Sequence, residues 1–197
     1  ADAAGFDAVF VTDHPLPESE WLAAGGHQAM DPFVALAFAA AGSRRVRLHT
    51  NLAVLPYRNP YITAKSVASL DRLSGGRVLL GVGAGYLRAE FEALGADFER
   101  RNDVTDAAIR AMKQVWSGEP VQIGAQRFQS LPRPVQQPHP PIWGGGNSQR
   151  AIRRAVALCE GWMPFPNPAG AAERVRTPAL LDLGELARRI AFAREHA

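Results

Sequence analysis

The feature that most limits what this chain can fold into is a repeated unit: a short apolar strand, a loop, a helix that opens on a cap residue, and a glycine stop. Ala8-Val9-Phe10-Val11 follows Gly5 and runs into Thr12-Asp13-His14-Pro15. Asp31-Pro32 then opens a helix, a capping side chain followed by proline at the first helical position, and Gly42 ends it. Val46 to Leu55 reads as one long strand broken by Pro56. Asn59-Pro60 repeats the start signal for a helix that runs to about Leu73 and halts at Ser74-Gly75-Gly76. Arg77 to Val82 is strand again, opening into Gly83-Ala84-Gly85-Tyr86. Strand starts near Ala8, Val46, Val78, Ile142 and Trp162 are separated by helices, so consecutive strands should run parallel with right-handed crossovers. Strands this apolar suit either a doubly wound sheet or an eight-stranded α/β barrel, and composition does not separate the two.

Between these units lie segments of other character. Leu16 to Met30 reads as loop, with Gly25-Gly26 and a lone Trp21. Leu87, Phe91 and Leu94 share one helical face, as do Val104, Ala108, Met112 and Val115 in a helix ending at Ser117-Gly118. Residues 119–141 form an insertion: alternation around Gly124 predicts a β-hairpin, and five prolines between Pro132 and Pro141 predict an extended strap. Pro164 to Pro178 is a proline-rich loop, and Leu183, Leu186, Ile190 and Ala193 mark a last amphipathic helix.

Bulk properties exclude several function classes. Of the 197 residues 47% are hydrophobic and 21% charged, the balance of a soluble globular chain. A formal charge of +3, spread along the chain, is no nucleic-acid footprint. Cys159 is the one cysteine, so no intramolecular disulfide framework exists and a reducing, cytoplasmic setting is expected. The longest apolar run, Phe33 to Ala41, is far short of the ~20 residues that span a bilayer. His14, His27, His49, His139 and His196 show no metal-ligand spacing, and no Gly-x-Ser-x-Gly elbow is present. The chain opens without an initiating Met on what reads as the end of a helix, and its true start is expected to lie upstream.

One stretch points to a ligand. Ile142-Trp143-Gly144-Gly145-Gly146-Asn147-Ser148 takes a strand into three glycines and a helix N-cap, followed by Arg150, Arg153 and Arg154. Glycine lets backbone N–H groups approach a ligand, and the first helical turn offers unpaired donors to a phosphate. An ordinary tight turn reads the same way locally. Gly83-Ala84-Gly85 is no dinucleotide fingerprint, because Arg88 stands where the third glycine belongs.

The chain resembles the bacterial luciferase-like family of flavin and deazaflavin oxidoreductases, and most closely its deazaflavin (coenzyme F-420) branch. The stretches that carry the resemblance are Asp31-Pro-Phe-Val-Ala-Leu, Leu55-Pro-Tyr-Arg-Asn-Pro, Ala68 to Arg77, Leu80 to Phe91, Pro138 to Ser148 and Gly161-Trp-Met-Pro. Their order matches the family's from about Gly5 to Pro164. The resemblance implies an α/β fold, a TIM (β/α)8 barrel of the luciferase-like type that is incomplete here, represented by about strands 2 to 6 of eight, in one domain over residues 1–197. It also implies a site at the carboxyl ends of the strands.

On that footing His14 exchanges a proton during hydride transfer and Asp13 orients it; capping of a loop is the bland alternative. Thr50, Asn51 and Leu52 resemble the stretch where relatives carry a non-prolyl cis peptide behind the ring, placed here between Asn51 and Leu52. Gly83, Ala84 and Gly85 are expected against the ring or its ribityl chain, and Gly145, Gly146, Asn147 and Ser148 as the phosphate seat. Trp21 and Tyr86 are expected to line the substrate pocket, while the absence of a carboxylate near Tyr86 disfavours sugar phosphates. Arg58, Arg88 and Arg150 are candidates for steering an acidic cofactor tail. The helices from Pro32 and Pro60 match elements of the family's homodimer contact. The implied activity is hydride transfer between a deazaflavin and a small organic substrate. The rivals are an FMN-dependent monooxygenase and a non-catalytic flavin-binding barrel.

Overall fold

The computed structural model describes residues 1–173 and 175–197. Five main strands form a parallel sheet: β1 (Ala8–Val11), β2 (Arg47–Thr50), β4 (Val78–Gly83), β7 (Ile142–Gly145) and β8 (Gly161–Met163), in that spatial order. The expected single strand from Val46 to Leu55 is instead divided. A cis bond between Asn51 and Leu52 separates β2 from the two-residue β3 (Ala53–Val54), which pairs with β4, and a 3-10 turn over Leu55–Tyr57 follows. The sheet is not closed, and the outer edges of β1 and β8 pair with no other strand among the described residues. This is the α/β architecture of an incomplete barrel.

The helices cover one face of the sheet. α2 (Pro32–Ala41) starts where Asp31 accepts from the N–H groups of Phe33 and Val34, and α3 (Pro60–Ser74) where Asn59 accepts from Tyr61 and Ile62. Gly75 ends α3 in the left-handed region at φ 69°, which a side chain would resist. α5 (Arg101–Trp116) buries Thr105, Ala108, Ile109, Met112 and Trp116, one face of a 3.6-residue period. These side chains meet Leu36, Val67, Leu48, Leu80 and Ile142 in the main core, each fully buried aliphatic stabilising by about 1.5–3 kcal/mol. On the other face Phe10 and Trp143 stay open to solvent, 61% and 38% exposed. No described helix is long and apolar enough to cross a membrane.

The remaining elements are attached to this layer. The loop from Leu16 to Met30 contains a short helix, α1 (Ser19–Ala23), which its sequence does not announce because it has no side-chain cap. After α4 (Arg88–Ala93) and α5 comes a separate antiparallel hairpin, β5 (Val121–Ile123) with β6 (Gln126–Phe128). The strap that follows docks on buried Asp71, whose carboxylate accepts from the N–H groups of Val135 and Gln136 and from the Gln136 amide. α6 (Gln149–Leu158), α7 (Ala169–Ala172) and α8 (Leu183–Glu195) complete the chain.

Candidate active site

Because the strands are parallel, their carboxyl ends share one rim. Thr12 to His14 follow β1, Asn51 and Leu52 follow β2, Gly83 to Tyr86 end β4, and Gly145 to Ser148 end β7. In α/β barrels this rim carries the chemistry.

His14 is held by a carboxylate that sequence reasoning missed. Its Nδ1 lies 3.1 Å from Oε2 of Glu90, a residue with no exposed surface on α4. The same Glu90 accepts from the Tyr57 hydroxyl at 3.0 Å and, through Oε1, from the Leu16 N–H at 3.0 Å. Burial pushes the Glu90 carboxyl up, but the hydrogen bonds from His14, Leu16 and Tyr57 outweigh it and the net shift is down. An ionised carboxylate only accepts, so Nδ1 carries a proton toward Glu90, and Nε2 is the ring nitrogen that points away from it. Burial and the Glu90 charge together drive the Tyr57 hydroxyl far up, out of titration. Trp21 packs on the His14 ring at a tilt of 38°, 4.8 Å between centroids, while His27 meets it edge-on at 5.0 Å and Tyr86 at 5.9 Å. Burial, with the Tyr86 hydroxyl near Glu90, pushes the Tyr86 pKa to about 12. His27 also reaches Thr12 Oγ1 at 3.1 Å, so the loop after β1 folds over the histidine as a roof.

Asp13 does not orient His14, contrary to the sequence expectation. Its buried carboxylate accepts the Val54 N–H at 2.9 Å and the Arg58 guanidinium at 2.8 Å, while Arg58 also holds Asp31 at 3.0 Å. Asp13 therefore locks β1 to the β3 turn, and Arg58 is spent on that lock instead of facing an acidic tail. The expectation of no carboxylate near Tyr86 is corrected too, since Glu90 sits beside it. Arg88 is paired with Glu99 and Arg150 with Asp103.

The neighbouring strand tips form a cradle. Leu52 lies across Gly83 and Gly145: an added Cβ would come within 2.8 Å and 2.5 Å of its Cδ1, respectively. Only glycine lets this side chain settle against both strands. Thr50 is buried and its hydroxyl donates to Gly81 O at 2.7 Å, so it braces the strands and is not a free ligand group. The His49 Nε2 beneath is buried without a partner. Burial lowers the His49 pKa. A smooth apolar shelf with glycine backbone on either side fits a flat ring.

Beyond the shelf, the four residues of the phosphate seat divide. Asn147 is 1% exposed and consumed as a clamp: its amide donates to Phe165 O and Pro178 O, its Oδ1 accepts from the Phe165 N–H, and its own N–H donates to Thr177 Oγ1. Its side chain is thus no ligand for a cofactor. Ser148 caps α6 by accepting from Ala151 N and keeps its hydroxyl proton to donate. The N–H groups of Gln149 and Arg150 have no protein acceptor among the described residues, and half-buried Gly145 and Gly146 lie beside them. The turn offers donors to an anion through its backbone and Ser148.

Comparison with known proteins fixes the family. Residues 1–179 match the luciferase-like monooxygenase family. The chain belongs to that family. This luciferase-like chain is 30% identical over 171 residues to an uncharacterised protein of Mycobacterium tuberculosis, covering 83% of this chain and 58% of the relative. It is 32% identical over 125 residues to an FMNH2-dependent dimethylsulfone monooxygenase of Pseudomonas putida, 59% of this chain and 34% of that one. Among solved structures, monooxygenase RslO1 of Streptomyces bottropensis superposes on 100% of this chain and 56% of its own, with TM-score 0.78 and 27% identity. An F-420-dependent secondary alcohol dehydrogenase bound to an F-420-acetone adduct shares the fold at TM-score 0.74 and 23% identity, over 99% and 57% of the two chains. The chain thus spans between 34% and 58% of the length of these relatives. Proteins similar to this chain include both an FMNH2-dependent monooxygenase and an F-420-dependent dehydrogenase.

Proposed function

We propose that this luciferase-like protein binds a deazaflavin of the F-420 type on the Leu52 shelf and uses it for hydride transfer to or from a small organic substrate. When bound, that cofactor supplies or accepts the hydride. The chain's own residues do the rest. Gly83, Ala84, Gly85 and Gly145 let the ring and its ribityl chain lie close to backbone, and Ser148 with the first turn of α6 takes the phosphate. His14 exchanges the substrate proton through Nε2. Glu90 fixes the tautomer, and Trp21 with His27 keeps water off the ring. The observation that carries the reading is the His14–Glu90 pair roofed by Trp21 beside a glycine-flanked shelf.

A second reading, an FMN-dependent monooxygenase, is favoured by the Pseudomonas relative. Titration with F-420 and with FMN, followed by absorbance, together with an oxygen electrode, separates the two. Tight F-420 binding without oxygen uptake is expected; stoichiometric oxygen consumption with FMN overturns the first reading. His14→Ala should abolish turnover while cofactor binding persists, and unchanged turnover would leave the non-catalytic reading standing.

A further inference from the structure

The segment from Leu16 to Met30 covers His14 but has little hold of its own. Its one helix, α1, is five residues long, has no side-chain cap and buries no residue. The N–H groups of Leu22, Ala24, Gly25 and Gly26 donate to carbonyls of Glu18, Glu20, Leu22 and Trp21, all inside the segment. Among the described residues only two hydrogen bonds tie residues 16–30 to the rest of the molecule, and both end in the shell around His14. At the start the Leu16 N–H donates to Glu90 Oε1 at 3.0 Å, and near the end His27 Nε2 lies 3.1 Å from Thr12 Oγ1.

The two ties are unequal. Glu90 has no exposed surface, so the bond from Leu16 is shielded from water, whereas His27 is exposed and its bond to Thr12 competes with water. Past the segment the chain is fixed again, because Asp31 caps α2 and pairs with Arg58. A segment with few buried contacts and exposed hydrogen bonds opens locally before the fold does, and this one opens first at its His27 end. Gly25, at φ 92°, supplies the turn there.

What that end carries is the cover of the candidate catalytic ring. Gly26, next to His27, donates its N–H to Trp21 O at 2.9 Å, and a Cβ at Gly26 would come within 2.3 Å of Trp21 Cε3. The indole therefore lies directly on the Gly26 backbone, with the His27 ring 5.5 Å away and the His14 ring 4.8 Å away. Only 8% of the His14 side chain is exposed, so these rings screen it, and whatever holds them sets its access. We propose that Thr12 and His27 are positioning residues: their hydrogen bond latches the segment shut, acts on His14 through Gly26 and Trp21, and admits substrate to the imidazole when it releases. The inference rests on the reading of His14 as the proton-exchanging residue, and it is independent of which flavin the shelf holds.

The test is the rate at which diethyl pyrocarbonate labels His14, mapped by peptide mass spectrometry, with exposed His196 as the internal reference. In wild type His14 should label more slowly than His196. Thr12→Val keeps the shape but removes the hydroxyl, and it should speed His14 labelling about 2- to 10-fold, the span of one exposed hydrogen bond, with the thermal melt unchanged. His27→Ala should do the same, and His27→Gln, whose amide can still reach Thr12, should restore the slow rate. Gly26→Ala leaves both latch residues in place but pushes the indole aside, so it should speed labelling as well. A wild-type rate in Thr12→Val, a His27→Gln rate equal to that of His27→Ala, or wild-type His14 labelling as fast as His196 overturns the latch. Faster labelling in the latch variants of a protein that binds neither F-420 nor FMN upholds the latch and removes the cofactor reading.

Discussion

A carboxylate with no exposed surface and three donors around it stays ionised and dictates where its neighbours' protons lie. That is the position of Glu90, and it makes a measurable distinction between holding His14 and merely filling α4. Glu90→Gln keeps the volume but sets an amide N–H against one of the three donors. Turnover is expected to fall about 10- to 100-fold, within the range of lost acid–base catalysis, with cofactor affinity within about 3-fold of wild type. The pH dependence carries the sign of the shift. The Glu90 pKa is lower in the folded protein than unfolded, so its stabilisation is full above the ordinary carboxylate range and is lost as pH falls through the folded value. Urea midpoints at pH 7 and pH 4 should therefore drop more in wild type than in Glu90→Gln. Gly145→Ala probes the shelf at the same scale. Its new Cβ would displace Leu52, whose side-chain end is flexible, so the melting temperature should barely move while ring affinity falls by about 10-fold in a cofactor titration.

At the scale of elements, the helix caps are the strongest local signals, and they test cleanly. Asp31 accepts two N–H groups of α2 and pairs with Arg58, so Asp31→Ala should cost about 1 kcal/mol in urea unfolding, mostly from the cap. These caps, with proline inside and glycine after, are why the strand–helix order was legible: the observed strands start at Ala8, Arg47, Val78, Ile142 and Gly161, on or next to the expected residues. Legibility failed where an outcome depends on contacts far along the chain. Glu90 lies 76 residues from His14, and a glutamate on a short helix reads as a solvated charge. A signal was present, because Leu87, Glu90, Phe91 and Leu94 share one helical face, and a carboxylate on a face meant for the core needs a partner. Asp13 shows the opposite error. Its adjacency to His14 suggested a pair, but successive strand-end residues point to opposite sides, and Arg58 claimed it.

For the molecule as a whole, the unresolved balance is apolar surface. α2 buries Leu36 against the sheet, yet Val34, Ala37, Phe38 and Ala41, at the i, i+3, i+4, i+7 spacing, all face solvent, with Val34 70% and Phe38 85% exposed. Ile62 of the adjacent α3 is 67% exposed, so the stripe continues across two packed helices. Scattered exposed apolar residues need no explanation, but a continuous stripe on neighbouring helices does. A homodimer contact through these helices, as the sequence resemblance implies, would remove it from water. The helices are short, so a stable pair needs the standard ~800 Å² from each partner, and a charge at its centre should be decisive. Phe38→Glu is expected to shift the protein from dimer to monomer in sedimentation velocity at micromolar concentration, with the circular dichroism of the helices retained because Phe38 contributes little to the monomer core. A wild-type protein that sediments as a monomer at the same concentration would refute the contact.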